Sequence, residues 1–228
     1  MKDIGVIMEI PFNSREYSKQ IYDRNWINYR MEITMKYTAK CLKQQTSSDF
    51  TALFLYKDET EQMIKEALSR YEKLPPNIRF VPASQSRSIA AEALKDASLT
   101  YSVRLDSDNM FAKDYMERLR GATVKPDIQA IVTQQGYIYD SIHHRLARVT
   151  YPSPSFFALI YKTEEFLTGK KYPMRTHHDA IKLKHMLMPG RNFVVVVHKT
   201  NALNEFRVGR KSDLIESSKI AEVLDAFI

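Results

Sequence analysis

The chain is 228 residues long, enough for one medium-sized domain that buries about 70% of its unfolded surface without covalent staples. With 44% hydrophobic and 27% charged residues and only 6 Gly, it is not a disordered or low-complexity protein, and a single cysteine, Cys41, excludes an intramolecular disulfide and every multi-cysteine zinc motif. Lysine and arginine total 34 against 27 acidic residues, so the net charge of +7 and pI near 9.3 favour anionic partners: nucleoside diphosphates, polyanions or a lipid surface.

Ile4 to Ile10 reads as a buried first strand ended by Pro11 and the polar turn Asn13-Ser14-Arg15. Glu9 interrupts the N-terminal apolar run too soon for a signal peptide or a membrane span, so the expected location is the cytoplasm. Ile27, Met31, Ile33, Met35, Tyr37, Ala39 and Leu42 mark a helix from about Trp26 to Lys43, with Cys41 as an inert core thiol. Phe50 to Tyr56 is a central strand followed by the acidic turn Lys57-Asp58-Glu59-Thr60, and Thr60 to Tyr71 is a second amphipathic helix. After Pro75-Pro76 come a strand at Ile78 to Val81, a helix from Ser88 to Ala97 capped by Ser86 or Ser88, and a fourth strand at Tyr101 to Leu105.

That alternation implies right-handed crossovers and an α/β fold, a mainly parallel sheet flanked by helices in a single domain. The second half is less regular. Met110 to Leu119 is helix-like; strands are expected at Gln129 to Thr133, Gly136 to Tyr139, Leu146 to Val149, Phe156 to Tyr161 and Val194 to Val197, a loop at Tyr151 to Ser155, and a helix from Ala180 to Met188 closed by Pro189-Gly190. Scattered basic residues, with neither a helix-turn-helix nor an RNA-recognition signature, argue against nucleic acid as a partner.

The most informative residues are Asp106-Ser107-Asp108-Asn109. Carboxylates one residue apart at a strand end can lean toward one hard divalent cation that keeps positions open for substrate phosphates. Open α/β sheets bind ligands at the carboxyl ends of their strands, where both Asp58 and this motif fall. The competing reading is that Asp108 or Asn109 caps the following helix. A second constellation, Thr176-His177-His178-Asp179, precedes the expected helix at Ala180, where Asp179 could equally be an N-cap; His143-His144 falls in a probable surface turn. Arg30 and Arg87 can pair with phosphate or a base, or be exposed helix charges.

Taken in order, the first strand, Arg30 on its helix, Gln45-Thr46, the strand leading to Asp58, the helix after Arg87 and Arg104-Leu105-Asp106-Ser107-Asp108-Asn109 resemble a GT-A glycosyltransferase (Rossmann-like). Within that class the chain is most similar to the family called putative rhamnosyl transferases, in which an Arg-Leu-Asp-x-Asp-Asp-like box and a late Val-Val-His-x-x-Asn box recur. The late box here is Val196-Val197-His198-Lys199-Thr200-Asn201. Asn109 stands where the family often has a third Asp, and Pro11-Phe12-Asn13 where it usually has an Arg-Phe pair.

The resemblance implies a single domain over residues 1–228, with a donor half at 1–120 and an acceptor half at 121–228. It implies a nucleotide-diphosphate sugar donor bound by Arg30, Asp58, Arg87, Asp106 and Asp108, and Mn²⁺ or Mg²⁺ held by Asp106, Asp108 and His198. It also implies an acceptor hydroxyl on a glycan, lipid or other molecule, contacted by His178 and deprotonated by Asp179, with inversion. The basic charge leaves room for peripheral membrane association. A non-catalytic nucleotide-sugar or polyanion-binding module is the contrasting reading. Nucleotidyl transfer is disfavoured because no glycine lies between Gly5 and Gly121 to form a phosphate loop, and a hydrolase using His177, His178, Asp179 and His198 matches no recognised motif.

Overall fold

The computed structural model describes residues 2–15, 19–199 and 205–228. Seven strands form the larger sheet: β1 (Lys2–Pro11), β2 (Thr51–Tyr56), β3 (Ile78–Pro82), β4 (Ala97–Arg104), β6 (Ala130–Val132), β9 (Phe157–Lys162) and β10 (His185–Leu187). Their order is β10-β6-β9-β4-β1-β2-β3, parallel except for β9, which runs antiparallel to both β4 and β6. A smaller sheet has the order β5-β11-β7-β8, from β5 (Met110–Phe111), β7 (Gln135–Asp140), β8 (Arg145–Thr150) and β11 (Arg191–Val197). The α/β fold with a mostly parallel sheet is therefore as the alternation of elements predicts.

The helix expected near Trp26 to Lys43 is one rod in three parts: α1 (Arg24–Thr34), a π turn (Met35–Ala39) and α2 (Lys40–Lys43). The Asp23 carboxylate starts it by accepting from the Trp26 amide at 2.8 Å. Ile27 and Met31 are fully buried on its sheet-facing side, each contributing about 1.5–3 kcal/mol of apolar burial. α3 (Glu61–Leu68), α4 (Ser86–Leu94), α5 (Tyr115–Gly121), α6 (Thr163–Leu167) and α7 (Ile220–Asp225) complete the helices. None among the described residues is long and apolar enough to cross a membrane.

Three local expectations are corrected. Met110 and Phe111 do not begin a helix; they pair antiparallel with Val194 and Phe193 of β11, and α5 begins only at Tyr115. A short apolar run reads alike as strand or helix, and here pairing with β11 decides. Ala180 to Met188 is likewise not a helix: a 3-10 turn spans His177–Lys182, and β10 follows, paired in parallel with β6. Ser86 and Ser88 do not cap α4; their hydroxyls donate to the carbonyls of Ala83 and Gln85, leaving the helix without a side-chain cap.

Candidate functional site

Asn13, just beyond β1, is buried and ties the strand ends together. Its amide donates to Ile21 O and Thr60 Oγ1 at 3.0 and 3.1 Å, and its carbonyl accepts from Lys57 N at 3.1 Å. These contacts fix the rim at the carboxyl ends of β1 and β2. Asp58 sits on that rim and accepts from the amide of Ser84 at 3.4 Å and from its hydroxyl, which holds its carboxyl below the usual range. Arg87 donates to Leu167 O at 2.7 Å and thereby joins α4 to the end of α6.

The centre of the site is the loop from β4 to β5. The helix-capping reading of Asp108 and Asn109 fails because α5 starts further on; Asn109 instead accepts from Val196 N of β11 at 3.1 Å. Thr34 and Thr38 donate to the carbonyls of Ser107 and Asn109 at 2.8 and 2.9 Å, so the α1 rod grips the loop backbone. In an unbroken α-helix, side chains four apart drift by about 40°, so Arg30, Thr34 and Thr38 would fan out. The wider π turn between Thr34 and Thr38 reverses part of that drift and keeps all three on the loop.

Arg30 reaches the loop from the same face. Its Nη2 donates to Ser107 Oγ at 2.7 Å, and its Nη1 lies 3.2 Å from Asp108 Oδ2 and 3.1 Å from His198 Nε2. A guanidinium only donates, so Nη1 pairs with Asp108, whose Oδ2 also lies 3.2 Å from His198 Nε2. Tyr29 Oη lies 3.4 Å from the other ring nitrogen and accepts from Lys199 N at 3.2 Å. The cluster is secluded: side-chain exposure is 11% for Arg30, 12% for Asp108 and 1% for His198. Trp26 covers the guanidinium at 5.9 Å, and the Arg30 Nε–H is buried with no hydrogen-bond partner among the described residues.

The two aspartates have opposite electrostatics. Burial alone would raise the Asp108 carboxyl, but contacts with His198 and Arg30 outweigh it and hold the group ionised, below the usual range. Asp106 is 37% exposed, yet crowding raises its carboxyl despite the Arg104 charge, and Asp108 adds repulsion. Arg104 donates to Asp106 Oδ1 at 3.0 Å and to Ser155 O at 2.8 Å.

The loop at Tyr151 to Ser155 links this centre to the second motif. His178 Nδ1 lies 2.6 Å from Ser153 O, so that nitrogen carries the proton. The His177 ring lies against that of His178, centroids 3.9 Å apart and tilted by 47°, and its pKa is lowered to about 4 by burial and by the charges of Arg104, His178 and Arg15. His177 is thus neutral at pH 7. Asp179 forms a capping box with Thr176: its Oδ2 accepts from the amides of Arg175 and Thr176 at 2.8 and 3.0 Å. Lys182 bonds Oδ1 at 2.6 Å, and these contacts lower its pKa to about 2, the Lys182 hydrogen bond most of all.

Sequence reasoning thus pointed to Asp106, Asp108, Arg30 and His198, while Ser107, Thr34, Thr38 and Arg104 were missed as site residues. The spacing of Arg30, Thr34 and Thr38, four apart on one helix, was an available signal. Of the late box, His198 lies in the cluster, whereas Thr200 and Asn201 lie outside the described residues. Of the metal set expected at Asp106, Asp108 and His198, Asp108 Oδ2 and His198 Nε2 stand 3.2 Å apart with the Arg30 guanidinium against both, while Asp106 faces Arg104. No group of three His, Cys, Asp or Glu placed to hold a metal occurs among the described residues.

The family described as "Putative rhamnosyl transferase" matches residues 9–208, most of the chain. The protein belongs to that family. Membership places it among sugar transferases, and the expected α/β arrangement agrees with the mostly parallel sheet. No curated protein matches the chain.

Solved structures resemble this rhamnosyl transferase family member only remotely. One is a 4-diphosphocytidyl-2C-methyl-D-erythritol synthase from Anaerococcus prevotii, at 14% identity and TM-score 0.38, covering 98% of this chain and 96% of that one. Another is S. aureus TarS 1–349 in complex with UDP, at 12% identity and TM-score 0.42, covering 86% and 61%. A third, from Desulfovibrio desulfuricans, is described as a putative nucleotide-diphospho-sugar transferase, at 10% identity and TM-score 0.38, covering 83% and 80%. At this distance they carry no argument about the site.

Proposed function

We propose that this protein transfers a sugar from a nucleotide-diphosphate donor to an acceptor hydroxyl, with the diphosphate bound at the mouth formed by Asp106, Arg104 and Arg15. The observation that carries the reading is the secluded Arg30–Asp108–His198 cluster at the carboxyl end of β4, inside a chain of this family. Asp58 and Arg87 are proposed on the nucleoside side. The acceptor oxygen attacks the anomeric carbon, the bond to the diphosphate breaks with its electron pair, and the guanidiniums take up the developing charge.

The hydroxyl's proton passes to a base, and one displacement inverts the anomeric centre. Asp179 fills that role if Lys182 releases it, since a carboxylate with a pKa near 2 is a poor proton acceptor at neutral pH. His177, neutral at pH 7 and beside Arg104, is the competing base, and His178 presents its Nε2 to the acceptor. A glycan or lipid-linked acceptor fits the basic surface, and peripheral membrane association and a cytoplasmic location belong to the same proposal.

The test is calorimetric titration of the wild type and Arg104→Ala with a panel of nucleoside diphosphates and their sugars. Binding of one base series, lost in the variant, supports the reading. Absence of binding for the whole panel rejects it. The anomeric configuration of product, with Asp179→Asn and His177→Ala compared, then assigns the base.

A further inference from the structure

Asp108 Oδ2 and His198 Nε2 are the two donor atoms best placed to share a divalent cation, being 3.2 Å apart, and they already share one positive group. Arg30 Nη1 sits at hydrogen-bond distance from both. A magnesium-like ion at about 2.1 Å from each ligand would meet the positive charge of that guanidinium at close range. The guanidinium is no loose surface charge: Ser107 Oγ accepts from its other terminal nitrogen, Trp26 covers it, and 11% of the side chain is exposed.

The charge balance around the mouth points the same way. An Asp-x-Asp pair by itself carries two negative charges and would repel a diphosphate unless a metal intervened. Here Arg30 neutralises Asp108 from behind, Arg104 pairs with Asp106 in front, and the charge of Arg15 acts on both Asp106 and His177. Each carboxylate of the motif thus already has its own guanidinium before any ion is added. Guanidiniums also match the geometry of phosphate oxygens better than a point charge does.

Resting on the donor reading above, we propose that Arg30 is the resident counter-cation of the diphosphate site, and that the donor diphosphate binds without a divalent metal. Arg30 holds Asp108 and His198 closed, while Arg104 and Arg15 supply the phosphate contacts. A divalent ion gains a site only when Arg30 is removed.

The test uses the whole chain, with pyrophosphate and the nucleoside diphosphate panel titrated calorimetrically in EDTA and in Mn²⁺. Binding of Mn²⁺ alone is followed by loss of the free-ion EPR signal. Wild type should bind its nucleotide equally in both buffers, to within about threefold, and should bind no Mn²⁺ at the site. Arg30→Met should bind nucleotide about tenfold or more weakly in EDTA, recover in Mn²⁺, and take up the ion alone. Arg30→Lys, which keeps the charge, should resemble wild type in EDTA more than Arg30→Met does.

Wild-type binding that collapses in EDTA overturns the inference and leaves the donor reading intact, whether or not the Arg30 variants fold. Absence of nucleotide and pyrophosphate binding in both buffers overturns both.

Discussion

Replacing Asp108 by Ala withdraws the carboxylate partner from a guanidinium that is almost nine-tenths enclosed. Breaking a buried ion pair by removing one partner costs about 3–5 kcal/mol, because the surviving charge is left in a poorly solvating site. Ser107 Oγ still accepts from Arg30, so the cost should lie near the lower end, about 3 kcal/mol. For a chain of this size that is a drop of roughly 6–12 °C in Tm. Arg30→Met should cost a similar amount by stranding the Asp108 carboxylate. The double variant removes both charges together, so its loss should fall short of the sum of the singles by about 2 kcal/mol or more. Urea denaturation of the four proteins at pH 7 measures this coupling. If the losses add to within about 0.5 kcal/mol, the pair is not the buried unit described above.

Other sites give independent checks. The buried Asp140 accepts from the amides of Ile142 and His143, from the His143 ring and from Arg145, and its carboxyl lies far below the usual range because these contacts outweigh burial. Its stabilisation is therefore fully present above about pH 4 and is lost as pH falls toward the folded value, so Asp140→Asn should flatten the acid limb of a plot of urea midpoint against pH; an unchanged limb would refute the assignment. Burial pushes the Cys41 thiol up to about 12, the Phe111 amide contact opposing it only in part, so an aromatic disulfide reagent at pH 8 should label it in urea and not in the native protein. A Cβ at Gly136 would lie 2.5 Å from both the Phe193 ring and its carbonyl oxygen, so Gly136→Ala should cost about 1–3 kcal/mol, whereas Gly121→Ala, with nothing within 4 Å, should cost none.

The first half of the fold was legible because each strand there is a dense apolar run and each helix has its own period. β2 and β3 fall within a residue of their sequence-based limits, and the Trp26 to Lys43 helix exists, although no pattern announced its π turn. Met110-Phe111 and the stretch before Pro189 were misread because their state is set by partners distant in sequence, β11 and β6. The Asp-x-Asp motif was visible as a pair of carboxylates beyond a strand. What filled the space between Asp108 and His198 was not visible, since an arginine suited to phosphate is equally suited to a carboxylate. Asp179 shows the same ambiguity: the short polar side chain that marks a candidate base is also the one that closes a capping box.

The cluster is also assembled from the far ends of the chain. Asp108 and His198 are 90 residues apart, and Arg30 and His198 are 168 apart. During synthesis a nascent chain carries Arg30 and the aspartates long before β11 brings the imidazole to them, and β5 has no partner strand in the small sheet until then. Chains truncated before β11 would expose the aspartate loop without the strand that receives Asn109, and would lack a working centre. The cluster is thus completed late, only once β11 has been made.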